Sequence, residues 1–182
     1  MKNKAVLLVV DFILLVFYVG LDQLTKYMAV LFLKNKPAIP IIENVLELHY
    51  LENKGAAFGM LQNQKIFFIF IAFIILFAIA FVLAKTPSDK KYTILHILLV
   101  MIAGGAVGNM IDRFVQDYVV DFIYFVLIDF PIFNVADIYV SLATVGLIIV
   151  VMFVYKEEDF DFLSVKKKYT RKPNYTDDSE AK

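Results

Sequence analysis

Apolar residues gather into four long runs along this chain, roughly Ala5–Phe32, Ile66–Ala84, Tyr92–Ile111 and Ile138–Tyr155. A helix needs about 20 mostly apolar residues to cross a bilayer, so each run predicts a membrane-spanning helix. The second run holds no charged residue and is expected to face lipid or simply pack. The other three carry polar residues at one end. Lys2 and Lys4 ahead of the first run imitate a signal peptide. That run, however, continues through Leu21, resumes after Asp22 and Lys26 and offers no small-x-small cleavage site. It reads as a retained span.

Between the runs the pattern changes. Val45–Glu52 places polar residues at 47, 49 and, out of step, 52, a partial alternation that predicts a short half-buried strand. The following Asn53-Lys-Gly-Ala-Ala-Phe-Gly59 reads as a turn in which Gly55 and Gly59 allow close backbone approach. From Lys156 the chain is charged and lacks an apolar period, so it is expected to be solvated and largely disordered. The predicted fold class is an all-α integral membrane protein with four transmembrane helices and a small extracytoplasmic β-rich segment in the first outer loop. Residues 1–155 form one membrane domain, and 156–182 a cytoplasmic tail.

Lysines and arginines beside the spans set the orientation. Lys2 and Lys4 precede the first span, Lys85, Lys90 and Lys91 lie between the second and third, and Lys156 follows the fourth. The first long loop, with Lys34, Lys36, Lys54 and Lys65, is ambiguous by itself. Together with the Asp-rich 112–137 loop, the pattern favours both termini in the cytoplasm. Asp22, Asn109, Arg113 and Asp137 then share the extracytoplasmic rim.

Composition narrows the chemistry. Of 182 residues, 60% are hydrophobic, against 45–50% in ordinary soluble domains even with glycine counted, so lipid is the surrounding partner. The absence of Cys removes disulfides, thiolate nucleophiles and Cys metal sites together, and leaves the redox compartment undetermined. His49 and His96 are too few and too far apart to suggest a metal centre, and neither metal nor other cofactor is expected. Zero net charge names no partner; no nucleic acid is expected, and the chain is read as a monomer.

Polar residues concentrate between Gly104 and Asp137. A carboxylate at the bilayer centre costs about 2.5–3.5 kcal/mol, so several near one rim point to use. Asp22 and Lys26, four apart on one helix face, form either a neutralising pair or the polar wall of a site. Asp11 has no evident role. Gly104 and Gly108 make a small-xxx-small packing face, which continues through Gly105 and Asn109 to Arg113. Arg113 reads as an interfacial anchor or as a partner of Asp112. After Pro131, Asn134 and Asp137 read as a helix cap and first turn, where the helix dipole favours an ionised Asp137. Asp121, between Val119, Val120, Phe122 and Ile123, is expected to be desolvated and pushed toward its protonated form. Two carboxyls pushed apart in this way divide the labour of activating water. Asn53, Asn109, Asn134 and Arg113 are candidate donors to a developing oxyanion. Ser141 with Lys26 is a weaker nucleophile pair. A small ion- or proton-coupled transporter and a structural assembly subunit are competing readings. Crowding at one rim counts against the first, and Asp121 with Asp137 against the second.

These pieces resemble the bacterial lipoprotein signal peptidases, also called signal peptidase II. They are Asp22-Gln-x-x-Lys26, Asn53-x-Gly-Ala-Ala-Phe58, Gly104-Gly-Ala-x-Gly-Asn-x-x-Asp-Arg113, Val119-Val-Asp-Phe-Ile123 and Phe130-Pro-x-Phe-Asn-x-Ala-Asp137. The resemblance implies a membrane aspartyl endopeptidase whose catalytic pair falls on Asp121 and Asp137. The other site-lining positions fall on Asp22, Lys26, Asn53, Asn109, Arg113 and Asn134, with Gly55 in the turn. It implies a diacylglyceryl-modified prolipoprotein as substrate, cleavage just before the lipidated Cys of the lipobox, and sensitivity to globomycin-like peptides. Which aspartate holds the proton stays open.

Overall fold

The protein is described by a computed structural model over residues 4–55 and 61–164. Helices α1 (Lys4–Leu33), α2 (Lys65–Lys85), α3 (Thr93–Gln116) and α4 (Val135–Phe153) are joined by strands β1 (Ile39–Ile42), β2 (Leu46–Asn53) and β3 (Val119–Tyr124). All four helices are long and apolar enough to cross a membrane, which makes this a multi-pass membrane protein. Helix α1, with 30 residues, extends about 45 Å at 1.5 Å per residue. It outruns a hydrocarbon core of about 30 Å, and the sheet packs against its surplus length.

Helix α3 is central and packs against the other three. Its glycines let neighbours come close. A Cβ on Gly104 would stand 2.6 Å from Tyr18 Cβ of α1, and one on Gly105 would stand 2.6 Å from the Ala136 carbonyl oxygen of α4. The helix runs five residues past its predicted end at Ile111 because Asp112 and Arg113 find partners inside the protein and need not turn to water.

The sheet has order β1-β2-β3, with both pairs antiparallel. Strand β2 was expected from the sequence, whereas β3 lies in what reads as an aromatic connector. The strand joins the first loop to the second. Val120 and Phe122 pack with Ala29 and Leu33 of α1, while Val119, Asp121 and Ile123 face a cavity on the other side. This is the period-2 alternation of a strand, disguised because both faces are covered and mostly apolar. Beyond β3 the chain turns back on itself. Phe133 N donates to Ile123 O at 3.0 Å, and the amides of Phe122 and Ile123 both donate to Phe133 O. That closure delivers the start of α4 beside Asp121.

At the opposite end of the bundle, Glu157–Leu163 form a 3-10 helix. Tyr155 stacks on Tyr92 at 5.6 Å, and Phe160 and Phe162 pack around them. This first part of the tail is therefore ordered, though Lys156, Glu157, Glu158 and Asp161 stay exposed; aromatic packing and the Tyr92 hydroxyl donating to Asp159 O at 2.8 Å hold it. The expectation for residues 165–182, like that for Gly59 and the Ala56–Phe58 part of its motif, lies outside the described residues.

Candidate active site

A cavity of about 600 Å³ opens between the sheet and the ends of α2, α3 and α4. Apolar side chains dominate its wall, among them Phe68, Ile123, Phe125, Phe130, Phe133 and Leu142. Its polar groups come from Asn53, Asn109, Arg113, Asp121, Asp137 and Ser141. A mostly apolar cleft with a few convergent polar groups is the usual form of a binding site.

Each polar group has a structural reason to be there. Strand β3 aims Asp121 inward, where it is 1% exposed. Asn53 Nδ2 donates to Asp121 Oδ2 at 2.7 Å, and Asn134 Nδ2 donates to Asp121 Oδ1 at 2.6 Å. Asn134 caps α4 in a capping box, with its Oδ1 accepting from Asp137 N at 3.1 Å and Asp137 Oδ2 accepting from Asn134 N at 3.1 Å. Asp137 Oδ1 accepts from Asn109 Nδ2 at 2.9 Å, and Asn109 Oδ1 accepts from Asn134 Nδ2 at 3.1 Å. Capping and cavity lining are thus one arrangement, not alternatives. Two asparagines link the two carboxylates, Asp121–Asn134–Asn109–Asp137.

The two carboxylates differ in setting. Burial, and then the nearby charge of Asp137, push the Asp121 carboxyl up to about 7, against the pull of its hydrogen bonds from Asn53 and Asn134. Such a group carries its proton into the neutral range.

Arg113 lies over the Phe68 ring, 4.5 Å from its centroid. It donates to Asn109 O at 3.3 Å and to Gly55 O at 3.2 Å. Gly55 N in turn donates to Asn53 Oδ1 at 2.9 Å, so Arg113 draws the 53–55 turn over the cavity. A guanidinium has five N–H donors, and these two bonds use two of them among the described residues. Asp112, the other expected partner, is not in an ion pair with Arg113; it pairs with Lys26 at 3.1 Å.

Three expected lining residues stand one layer behind the cavity wall: Asp22, Lys26 and Asn134 are 0%, 3% and 0% exposed, with Asn134 bonded directly to the cavity-lining Asp121. Lys26 Nζ meets Asp22 Oδ2 at 2.9 Å, Asp112 Oδ2 at 3.1 Å and Asn109 Oδ1 at 2.8 Å. An ammonium has three donors, so none remains to orient a substrate carbonyl or to activate Ser141. The Asp22–Lys26 pair is therefore a buried brace, not a wall. Asp11 pairs with His96 Nδ1 at 2.7 Å inside the bundle, far along α1 from Asp22. Sequence reading left out Phe68, whose only signal is its place near the start of the uncharged run Ile66–Ala84. It also underrated Gln23 and Asp112, whose signal was proximity to Asp22 and Arg113. The remaining connector acids serve locally: Asp117 pairs with Lys65 at 2.5 Å, and Asp129 accepts from Tyr124 at 2.6 Å.

Comparison with known proteins gives one consistent family. Residues 9–154 match the family model described as signal peptidase (SPase) II. The chain is 45% identical over 138 residues to a lipoprotein signal peptidase of Caldanaerobacter subterraneus subsp. tengcongensis, covering 75% of this chain and 90% of that one. It is 40% identical over 154 residues to a lipoprotein signal peptidase of Clostridium tetani, covering 83% and 96%. Among solved structures, a bacterial membrane enzyme determined by the in meso method at 2.3 Å resolution superposes with a TM-score of 0.69 at 32% identity. The match covers 87% of this chain and 93% of that one.

Proposed function

The chain belongs to the signal peptidase II family of lipoprotein signal peptidases, a family of aspartic peptidases, and we propose that its aspartic chemistry is carried by Asp121 and Asp137. The substrate is a prolipoprotein bearing a diacylglyceryl group on its lipobox Cys, cut just before that Cys. The observation that supports this reading is the cavity itself. Two carboxylates joined through Asn134 and Asn109 line one apolar cleft at the sheet end of a membrane bundle.

Ionised Asp137 takes a proton from water as the water oxygen bonds to the scissile carbonyl carbon. Protonated Asp121 donates a hydrogen bond to the carbonyl oxygen as charge develops there. When the tetrahedral intermediate collapses, the C–N bond breaks and the leaving Cys amine takes the proton that Asp137 had accepted from water, which frees the signal peptide and returns Asp137 to its ionised form. General acid–base assistance of this kind contributes about 10²–10⁴-fold. The Arg113 donors left over among the described residues favour the oxyanion, and the apolar wall shelters the acyl chains and excludes bulk water. Globomycin-like peptides inhibit by occupying this cleft. The sheet end, with the cleft, faces the extracytoplasmic side, and both termini face the cytoplasm.

The test is purified enzyme with one precursor in diacylated and unlipidated forms. The lipidated form is expected to yield a product beginning at Cys, and the unlipidated form to resist. Equal cleavage of both, or cleavage elsewhere, contradicts the assignment.

A further inference from the structure

Asp112 and Asp22 stand in the same relation to the two cavity aspartates. Asp112 Oδ2 accepts from Val120 N at 3.1 Å, the amide immediately before Asp121. Asp22 Oδ1 accepts from Ala136 N at 3.0 Å, the amide immediately before Asp137. Because the peptide unit is planar, only the φ and ψ of one residue separate each anchored amide from the α-carbon of a cavity aspartate. The anchors are themselves joined. Lys26 Nζ bridges their Oδ2 atoms, and Gln23 Nε2 spans the same carboxylates, 3.2 Å from Asp22 Oδ2 and 2.9 Å from Asp112 Oδ1. The same Nε2 shares its two N–H groups with Gly108 O at 3.2 Å, which ties the group to α3. At Gly108 a Cβ would run into the Asp22 carboxylate, so even the glycine face serves the cluster.

We infer that the buried Lys26–Asp22–Asp112 cluster is a common mount fixing the separation of the two site aspartates, with Asp112 a positioning residue for Asp121. The inference rests on the reading of Asp121 and Asp137 as the reacting pair. Asp112 does not line the cavity; it acts through the backbone of β3. All three donors of Lys26 and every carboxylate oxygen of the cluster are engaged, so the cluster has no slack to absorb a lost member. Its charge also reaches the site. Asp121 faces Asp137 from α4, Lys26 from α1 and Arg113 from α3, while β2 offers it the uncharged Asn53. Lys26 acts on Asp121 directly, and losing the Asp112 charge beside that ammonium leaves the field at Asp121 more positive and favours its ionised form.

The experiment compares Asp112→Ala and Asp112→Asn with wild type on a diacylated precursor, with thermal stability in detergent and pH profiles for each. Asp112→Ala loses the anchor for Val120 N, and a displacement of about 1 Å can cost about 10²-fold. Its kcat is expected to fall about 10- to 100-fold with KM little changed. Asp112→Asn keeps an acceptor for Val120 N, so kcat falls less, but the alkaline limb of its pH profile moves to lower pH. If Asp112→Ala does not fold, the isosteric Asn variant decides by a loss of kcat at unchanged KM. Folded variants with wild-type kcat and an unmoved profile, or a loss confined to KM, overturn the mount. Failure of the underlying reading looks different. Wild type then cleaves nothing, or Asp121→Asn turns over normally, and the mount falls with it.

Discussion

Asn109 and Asp137 meet across the α3–α4 seam, the side-chain amide donating to Asp137 Oδ1 at 2.9 Å. The same asparagine accepts from Lys26 and from Asn134 through its oxygen. Replacing it with Ala strands one buried Lys26 donor and removes one donor from Asp137. An unsatisfied buried group costs about 1–3 kcal/mol, more when charged. Asn109→Ala is expected to lose stability on that scale and to lower turnover by about 10²-fold. Thermal unfolding and steady-state kinetics in detergent check both.

Activity is expected to fall on the alkaline side with an apparent pKa near 7. Asp121 is pushed up to about 7 by burial and by Asp137; below that pH it holds the proton that the proposed mechanism uses at the carbonyl, and above it the proton is lost. The profile belongs to the pair and not to either residue alone. Stability follows the same sign. A carboxyl whose folded pKa lies above its unfolded value gives stability present at low pH and lost as pH rises through about 7. Asn cannot titrate, so the melting temperature of Asp121→Asn relative to wild type is expected to rise between pH 5 and pH 8.

Gly105 is where α3 and α4 leave no room for a methyl group. A Cβ there would stand 2.6 Å from Ala136 O and 2.7 Å from Val140 Cγ2, and a backbone carbonyl cannot move alone. Gly105→Ala must push the first turn of α4, which carries Asp137. Overpacking costs about 1–3 kcal/mol, and turnover is expected to drop by more than the stability loss alone explains. A folded Gly105→Ala protein with normal kcat contradicts this.

The proposed orientation is open to labelling, because the chain has no Cys of its own. Glu43→Cys places a thiol in the exposed β1–β2 turn, and Lys90→Cys places one at the opposite end of the bundle. In intact cells a membrane-impermeant maleimide is expected to modify the first and spare the second. The reverse pattern would invert the topology.

Much of this was readable in the sequence, and the gaps have physical causes. The helices announced themselves through apolar runs, and Asn134 with Asp137 through capping spacing. Strand β3 did not, because Val119 and Ile123 are apolar on the cavity side as Val120 and Phe122 are on the α1 side. Alternation vanishes when both faces are covered. For Lys26 the sequence left two readings open, a neutralising pair or a polar wall, for a related reason. Spacing put it beside Asp22, but only the fold brings Asp112 and Asn109 to take its other donors. The segment Glu157–Leu163 looked solvated by charge count, yet Phe160 and Phe162 find Tyr92 and Tyr155 to pack on.

The most direct measurement is single-turnover cleavage of a diacylated precursor by purified Asp121→Asn and Asp137→Asn, each shown folded by thermal unfolding. Loss of acid–base assistance alone is worth about 10²–10⁴-fold, so each variant is expected to lose at least that much while still binding substrate. Cleavage at close to the wild-type rate by either one would mean that the carboxyl it lacks takes no part in activating water.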